Sequence, residues 1–182
     1  VGVMVRDDGI VGPHIDFEGR NFHNLTIDGP SNHSDGVAGI FAGAGNLDPD
    51  MKGMASGSDM HVIAYYDDYE ENLISLDMHQ NEGVLVVNSS YSNGCNAGYT
   101  AITQIIDRHI FENPNFLHVF SAGNSNNQNC GYGAGNQWGN ITGGHKQGKN
   151  VLATANVYEN AELVASSSRG PAHDGRIKPD IT

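Results

Sequence analysis

An α/β fold, a parallel β-sheet flanked by helices on both faces, is what this sequence predicts, on three observations. Short apolar runs alternate with stretches of helical spacing, the runs are continuously apolar, and each ends in a polar, turn-forming group. Continuous apolar strands belong to parallel sheets covered on both faces. In such sheets ligands lie beyond the carboxyl ends of the strands. Chemistry is therefore sought in Asp7-Asp8-Gly9, Asn88-Ser89-Ser90-Tyr91 and Ser121-Ala122-Gly123-Asn124.

Taken in order, Val1–Val5 reads as the first strand and ends in Arg6-Asp7-Asp8-Gly9. Gly36–Ala44 is small and apolar enough for a buried helix, and His61–Tyr65 is the second strand. In Asn72–Gln80, Leu73, Ile74, Leu76 and Met78 fall at the spacing of a helix face. Val84–Val87 is the next strand. Ala97–Phe111 repeats the helical pattern through Ile102, Ile105, Ile106 and Ile110, and Pro114 stops it. Phe116–Phe120 and Val151–Ala155 complete the series. No internal repeat or low-complexity linker interrupts it, so one domain is expected.

The chain carries 9 Lys+Arg against 21 Asp+Glu, a formal net charge of −12. Nine cations do not make a phosphate-binding face, which excludes nucleic acid as an expected partner; anionic lipid is disfavoured for the same reason. The longest apolar runs, such as Gly83–Val87, fall far short of the ~20 residues that cross a bilayer, so no membrane insertion is expected. Only 16% of residues are charged, a neutral-polar surface commoner in secreted bacterial proteins than in cytosolic ones. A secreted or cell-surface location in a bacterium is expected. Cys95 and Cys130 both sit in Gly/Asn-rich loop sequence, which reads as a disulfide, with two free thiols as the alternative.

Three positions carry candidate chemistry, each with an ordinary alternative. Asp7 and Asp8 end a strand before a glycine, where a carboxylate orients an imidazole or holds a metal, or merely forms a turn. His33 precedes the small-residue run Val37-Ala38-Gly39-Ile40, as a reactive group or a capping residue. Asn124 follows a strand, where its amide can donate to a developing oxyanion or just make a turn.

The order in which they occur resembles the subtilisin-like serine peptidases (subtilases). Val1–Ile10 followed by His14-Ile15-Asp16-Phe17 is similar to the family's first strand and catalytic Asp segment. His33-Ser34-Asp35-Gly36-Val37-Ala38-Gly39 is similar to its His motif, keeping the first His and the Val-Ala-Gly tail. Gly53-Met54-Ala55 stands where the family has Gly-Val-Ala-Pro, and Val86–Ser90 resembles the strand that lines the substrate groove. Ser121–Asn124 resembles the oxyanion Asn segment, and Ser167–Pro171 with Asp174–Ile181 the stretch before the family's Ala-Pro-Gly. The resemblance spans Val1 to Thr182 and implies a serine endopeptidase acting on a polypeptide substrate.

By that resemblance Asp7 orients His33, His33 is the general base and then the acid, and Asn124 donates to the oxyanion. Ser90, Tyr91 and Ser92 receive the substrate as an added strand, and Ser121, Ala122 and Gly123 form a second wall of the primary specificity pocket. A Cys95–Cys130 bond would clamp the rim of that pocket.

Two departures stand out. Ser34-Asp35-Gly36 replaces the family's Gly-Thr-His, so an inward-pointing Asp35 is expected to raise the pKa of His33. No Gly-Thr-Ser nucleophile segment occurs, and Ser166, Ser167 and Ser168 belong to a different motif. The expectation is the N-terminal and central part of a catalytic domain, lacking its serine, inactive alone and partnered by the remaining C-terminal part.

No cofactor is required by this chemistry. Asp48-Pro49-Asp50 and Asp67-Asp68 offer oxygen ligands for a structural calcium, but neither has the spacing of a calcium loop, so no residue is assigned to metal. The acidic Asp67–Glu70 is read as a solvated loop, with a preference for basic substrate side chains as the alternative. Competing readings are a metal-dependent hydrolase on Asp7, Asp8 and His33 and a catalytically dead binding homologue. A nucleotide-binding domain rests only on Gly43-Ala44-Gly45, which follows a helix rather than a strand.

Overall fold

The computed structural model describes residues 1–25, 29, 31–64, 74–91, 94–95, 98–131, 137–141 and 143–182. They fall into two compact units, Val1–Ser90 and Tyr91–Thr182. Tyr65, Asp67–Glu70, Asn72, Leu73, Ser92 and Ala97 of the expectations above lie outside the described residues.

In the first unit four parallel strands, β1 (Gly2–Asp7), β2 (Asn21–Leu25), β3 (Asp59–Ala64) and β4 (Val84–Ser89), lie in the order β2-β3-β1-β4. Every residue of β1 is buried. One pleat face, Val3 and Val5, joins Met60 and Val62 of β3 in packing against helix α1 (Asn32–Ala42) through Ala38 and Ala42. On the other face Met4 and Arg6 are fully buried. The Arg6 guanidinium donates to Ser89 Oγ of β4 at 3.1 Å and to Ser75 Oγ at 2.5 Å. Ser75 lies on helix α2 (Ile74–Glu82), so each face of this sheet carries a helix.

β1 runs two residues past the predicted Val5, because Arg6 and Asp7 are polar residues with buried partners rather than the start of a turn. β2 was not expected. Its sequence, Asn-Phe-His-Asn-Leu, has no apolar run, and its place at the edge of this sheet, paired only with β3, asks for none. α1 starts at Asn32 rather than Gly36, since the Ser31 side chain caps it by accepting the His33 N–H at 3.2 Å.

The second unit holds helix α3 (Ala101–Glu112) and the parallel pair β5 (Leu117–Ser121) and β6 (Leu152–Thr154), with Ser121 opposite Thr154. A capping box between Thr100 and Thr103 starts α3. Asp107, buried on α3, accepts the Lys149 and Asn150 N–H groups at 2.9 and 2.8 Å, fixing the chain as it enters β6. Phe116, His118 and Phe120 stand on one face of β5, with rings 4.7 and 5.9 Å apart, and His145 stacks on Phe120 at 5.9 Å. Lys178 donates to the Val151 carbonyl at 3.0 Å and Asp180 Oδ2 at 2.6 Å, while Asp180 accepts the Ala153 N–H at 2.7 Å. The Lys-Pro-Asp motif is thus a clamp on β6. Cys95 and Cys130 are joined in a disulfide that closes a loop of 35 residues' separation.

Candidate active site

Asp7, the last residue of β1, lies fully buried on the α1 face. Its Oδ1 contacts His33 Nδ1 at 2.5 Å and accepts the Asp8 N–H at 2.9 Å. His33 sits in the first turn of α1, with its side chain 55% exposed. Nδ1 is held by the carboxylate, and Nε2 is the ring nitrogen that Asp7 does not engage.

The sequence arranges this locally. Gly9 lets the chain leaving β1 approach the helix cap, since a Cβ there would lie 2.7 Å from that of Ser31. Ser31 caps α1 and donates its hydroxyl to Asp8 Oδ1 at 2.5 Å. Ser34, fully buried, donates to the Gly9 carbonyl at 2.8 Å. The serine that replaces the family's glycine therefore ties the His-bearing turn to the exit of β1.

Charge follows geometry. The hydrogen bond to Asp7 raises the His33 pKa above the ordinary imidazole value, with the Asp7 and Asp8 charges adding and partial burial opposing. Burial pushes the Asp7 carboxyl upward, against the Asp8 N–H and the imidazole. The Ser31 hydroxyl holds the exposed Asp8 below the ordinary carboxylate value.

Asp35 does not do what its position in sequence suggested. Its carboxylate accepts the Gly12 N–H at 2.7 Å, and the second carboxylate that raises His33 is Asp8. Ser31 and Ser34 are the residues to which the sequence assigns no role at this site, and Asp8, a candidate carboxylate in the sequence, takes its place beside them. The Ser31-x-x-Ser34 spacing before a small-residue helix was the available signal.

Asp7, Asp8 and His33 each offer a ligand atom, and these atoms lie within 4.8 Å of one another, the one such metal-capable group among the described residues. Asp48 instead caps a short 3-10 turn by accepting the Asp50 N–H at 3.0 Å.

In the second unit, β5 ends at Ser121, Ala122 is buried, and Gly123 turns the chain at φ 111°. That left-handed value favours glycine and leaves Asn124 exposed at the turn. The motif carrying Ser167 and Ser168 holds this turn in place. Ser168 N–H donates to the Gly123 carbonyl at 2.8 Å and Ser168 Oγ accepts the Ser125 N–H at 2.9 Å. Both serines are buried. Tyr91 is also buried, and Ser90, in the first unit, accepts from Asn88 Nδ2 at 2.9 Å.

The sequence matches the family model described as the subtilase family over residues 1–182. No curated protein matches it. The prenylagaramide maturation protease PagA is a similar solved structure, at 21% identity and a TM-score of 0.64, covering 93% of this chain and 59% of its own. The S218A mutant of the PatA protease domain has 18% identity and a TM-score of 0.65, with 93% and 62% covered. The Clostridium perfringens CspB protease has 20% identity and a TM-score of 0.51, with 69% and 37% covered. At these identities the likeness is one of fold, and the chain spans about three-fifths of the length of PagA and PatA.

Proposed function

The chain belongs to the subtilase family, and on that premise we propose that it carries the base, the orienting acid and the oxyanion donor of a serine endopeptidase. The nucleophile is assigned to sequence outside Val1–Thr182. Within these residues no Gly-Thr-Ser occurs, and Ser167 and Ser168 are buried in structural hydrogen bonds. The observation that carries the reading is the 2.5 Å contact between buried Asp7 and half-exposed His33.

On this reading, His33 Nε2 takes the serine proton as the hydroxyl attacks the peptide carbonyl. Asp7 fixes the tautomer that leaves Nε2 free and stabilises the imidazolium that forms. The Asn124 amide donates to the tetrahedral oxyanion, a contribution of about 3 kcal/mol. The C–N bond then breaks, and His33 returns its proton to the leaving amine. Water, deprotonated by the same nitrogen, releases the acyl group and restores the serine. Ser90, Tyr91 and Ser92 take the substrate as an added strand, and Ser121, Ala122 and Gly123 wall its primary pocket.

This chemistry uses no cofactor. The Asp7–Asp8–His33 cluster supports a second reading, a metal-dependent hydrolase, under which a chelator abolishes hydrolysis. The disulfide and the neutral-polar composition support a secreted or cell-surface, bacterial location. Among the described residues no helix is long and apolar enough to cross a membrane.

The test is labelling by a serine-directed fluorophosphonate. The full-length protein containing this chain is expected to be labelled, insensitively to chelator, and to lose labelling on His33→Ala. Val1–Thr182 alone is expected to remain unlabelled; its labelling would place a nucleophile within these residues and overturn the assignment.

A further inference from the structure

Lys146 is a lysine with no solvent-exposed surface, carried on a short 3-10 turn, His145–Gln147. Its Nζ donates to the Tyr91 carbonyl at 2.5 Å and lies 3.5 Å from Ser121 Oγ. Those two residues belong to the two segments proposed above as the substrate strand and the pocket wall. The ammonium thus bridges these two segments.

The turn that delivers it is held from several sides. Thr103 Oγ1 donates to the Gly144 carbonyl at 2.8 Å, Gln147 Oε1 accepts the His173 N–H at 2.9 Å, and Arg176 donates to the Gln147 carbonyl at 2.5 Å. Lys146 is therefore a fixed filler rather than a surface arm that swings aside. Burial pushes its pKa down to about 7. A methionine or leucine would fill the same volume without burying a charge, and breaks of this kind with the rules of a stable core are expected at functional positions.

We propose that Lys146 is a specificity-determining residue that plugs the primary pocket, so that the enzyme cleaves after residues with the smallest side chains, glycine, alanine and serine. The proposal rests on the peptidase reading given above.

The test profiles the residue preceding the scissile bond with a peptide library, using the full-length protein, Lys146→Gly and Lys146→Met. The wild type is expected to cut after small residues. Lys146→Gly is expected to gain at least tenfold in kcat/KM after leucine or phenylalanine, as the freed volume buries a large apolar side chain. Lys146→Met keeps the plug without the charge, so it is expected to keep the small-residue preference, and it separates loss of fold from loss of the plug. Wild-type cleavage after large apolar residues as fast as after small ones would overturn the plug and leave the peptidase reading standing. Wild-type preference for aspartate or glutamate would do the same, since it would mean that a substrate carboxylate reaches the ammonium. Absence of both cleavage and fluorophosphonate labelling would overturn the peptidase reading, and this proposal with it.

Discussion

Replacing Asp8 by asparagine is expected to lower the pKa of His33, and replacing Asp7 by asparagine to lower it further, since the Asp7 hydrogen bond is the leading cause of the raised value and the Asp8 charge a lesser one. Ligand atoms of Asp8 and His33 lie within 4.8 Å. Both side chains meet water, so a near-aqueous dielectric applies, and a unit pair at that distance is worth about 0.9 kcal/mol. Screening at physiological salt, with a Debye length of about 8 Å, leaves roughly 0.5 kcal/mol. Asp7 acts through a direct bond from a buried carboxylate. A charge-assisted hydrogen bond contributes about 1.5–3 kcal/mol, several times the screened Asp8 interaction. On the proposed reading the base works when neutral, so a raised His33 pKa moves the acid limb of kcat/KM to higher pH, and Asp8→Asn moves it back down. The assay is that acid limb, paired with the NMR titration of the His33 Cε1 proton, each at 0.15 M and 1 M salt. The Asp8 effect should fade at high salt while the Asp7 effect persists. An Asp8→Asn shift as large as that of Asp7→Asn, or one of opposite sign, would refute the assignment of the Asp7 bond as the dominant cause.

Asn124→Ala in the full-length protein is expected to reduce kcat by about 10²–10³-fold with KM little changed, measured by steady-state kinetics. Replacing Cys95 and Cys130 by alanine should cost on the order of 3–4 kcal/mol of stability by loop closure, read by chemical denaturation, and Ellman titration of the denatured, unreduced wild type should find no thiol. Because Lys146 titrates near 7 when folded and near 10.5 when unfolded, the unfolded state binds more protons between those values. Its contribution to stability therefore improves as pH rises from about 7 toward 10. Denaturation at pH 7 and pH 9 should show a smaller pH-dependent gain for Lys146→Met than for wild type. Ser31→Ala should cost about 1 kcal/mol as a lost helix cap, visible as a lowered denaturation midpoint.

Most of the parallel core was legible because its strands are continuously apolar: β1, β3, β4 and β5 all lie where Val, Ile, Leu and Phe run together. β2 was not, since an edge strand of mixed composition has no such signature. The start of α1 was misplaced because Asn32, His33, Ser34 and Asp35 are poor helix formers, and the cap at Ser31 overrides them. That error had a functional consequence. With Asp35 inside the helix, two residues past His33, the two side chains are about 200° apart around the axis. Asp35 therefore faces Gly12 while the neighbour in space is Asp8. The Asp7–His33 pairing was readable only from the order of motifs, because neither residue departs from ordinary turn or cap chemistry on its own. Lys146 was invisible, since a lysine in a glycine-rich stretch reads as solvated, and only the fold shows it buried.

Arg6 and Asp7, adjacent on β1, send opposite charges to opposite faces of one sheet. A slip of β1 by one residue would exchange them, pressing a guanidinium toward the imidazole of α1 and burying a carboxylate among serines placed to accept a cation. The pair thus makes β1 intolerant of misalignment at the residue proposed to orient His33. On the proposed reading, the side chains that set the register of β1 also set the depth of the orienting carboxylate.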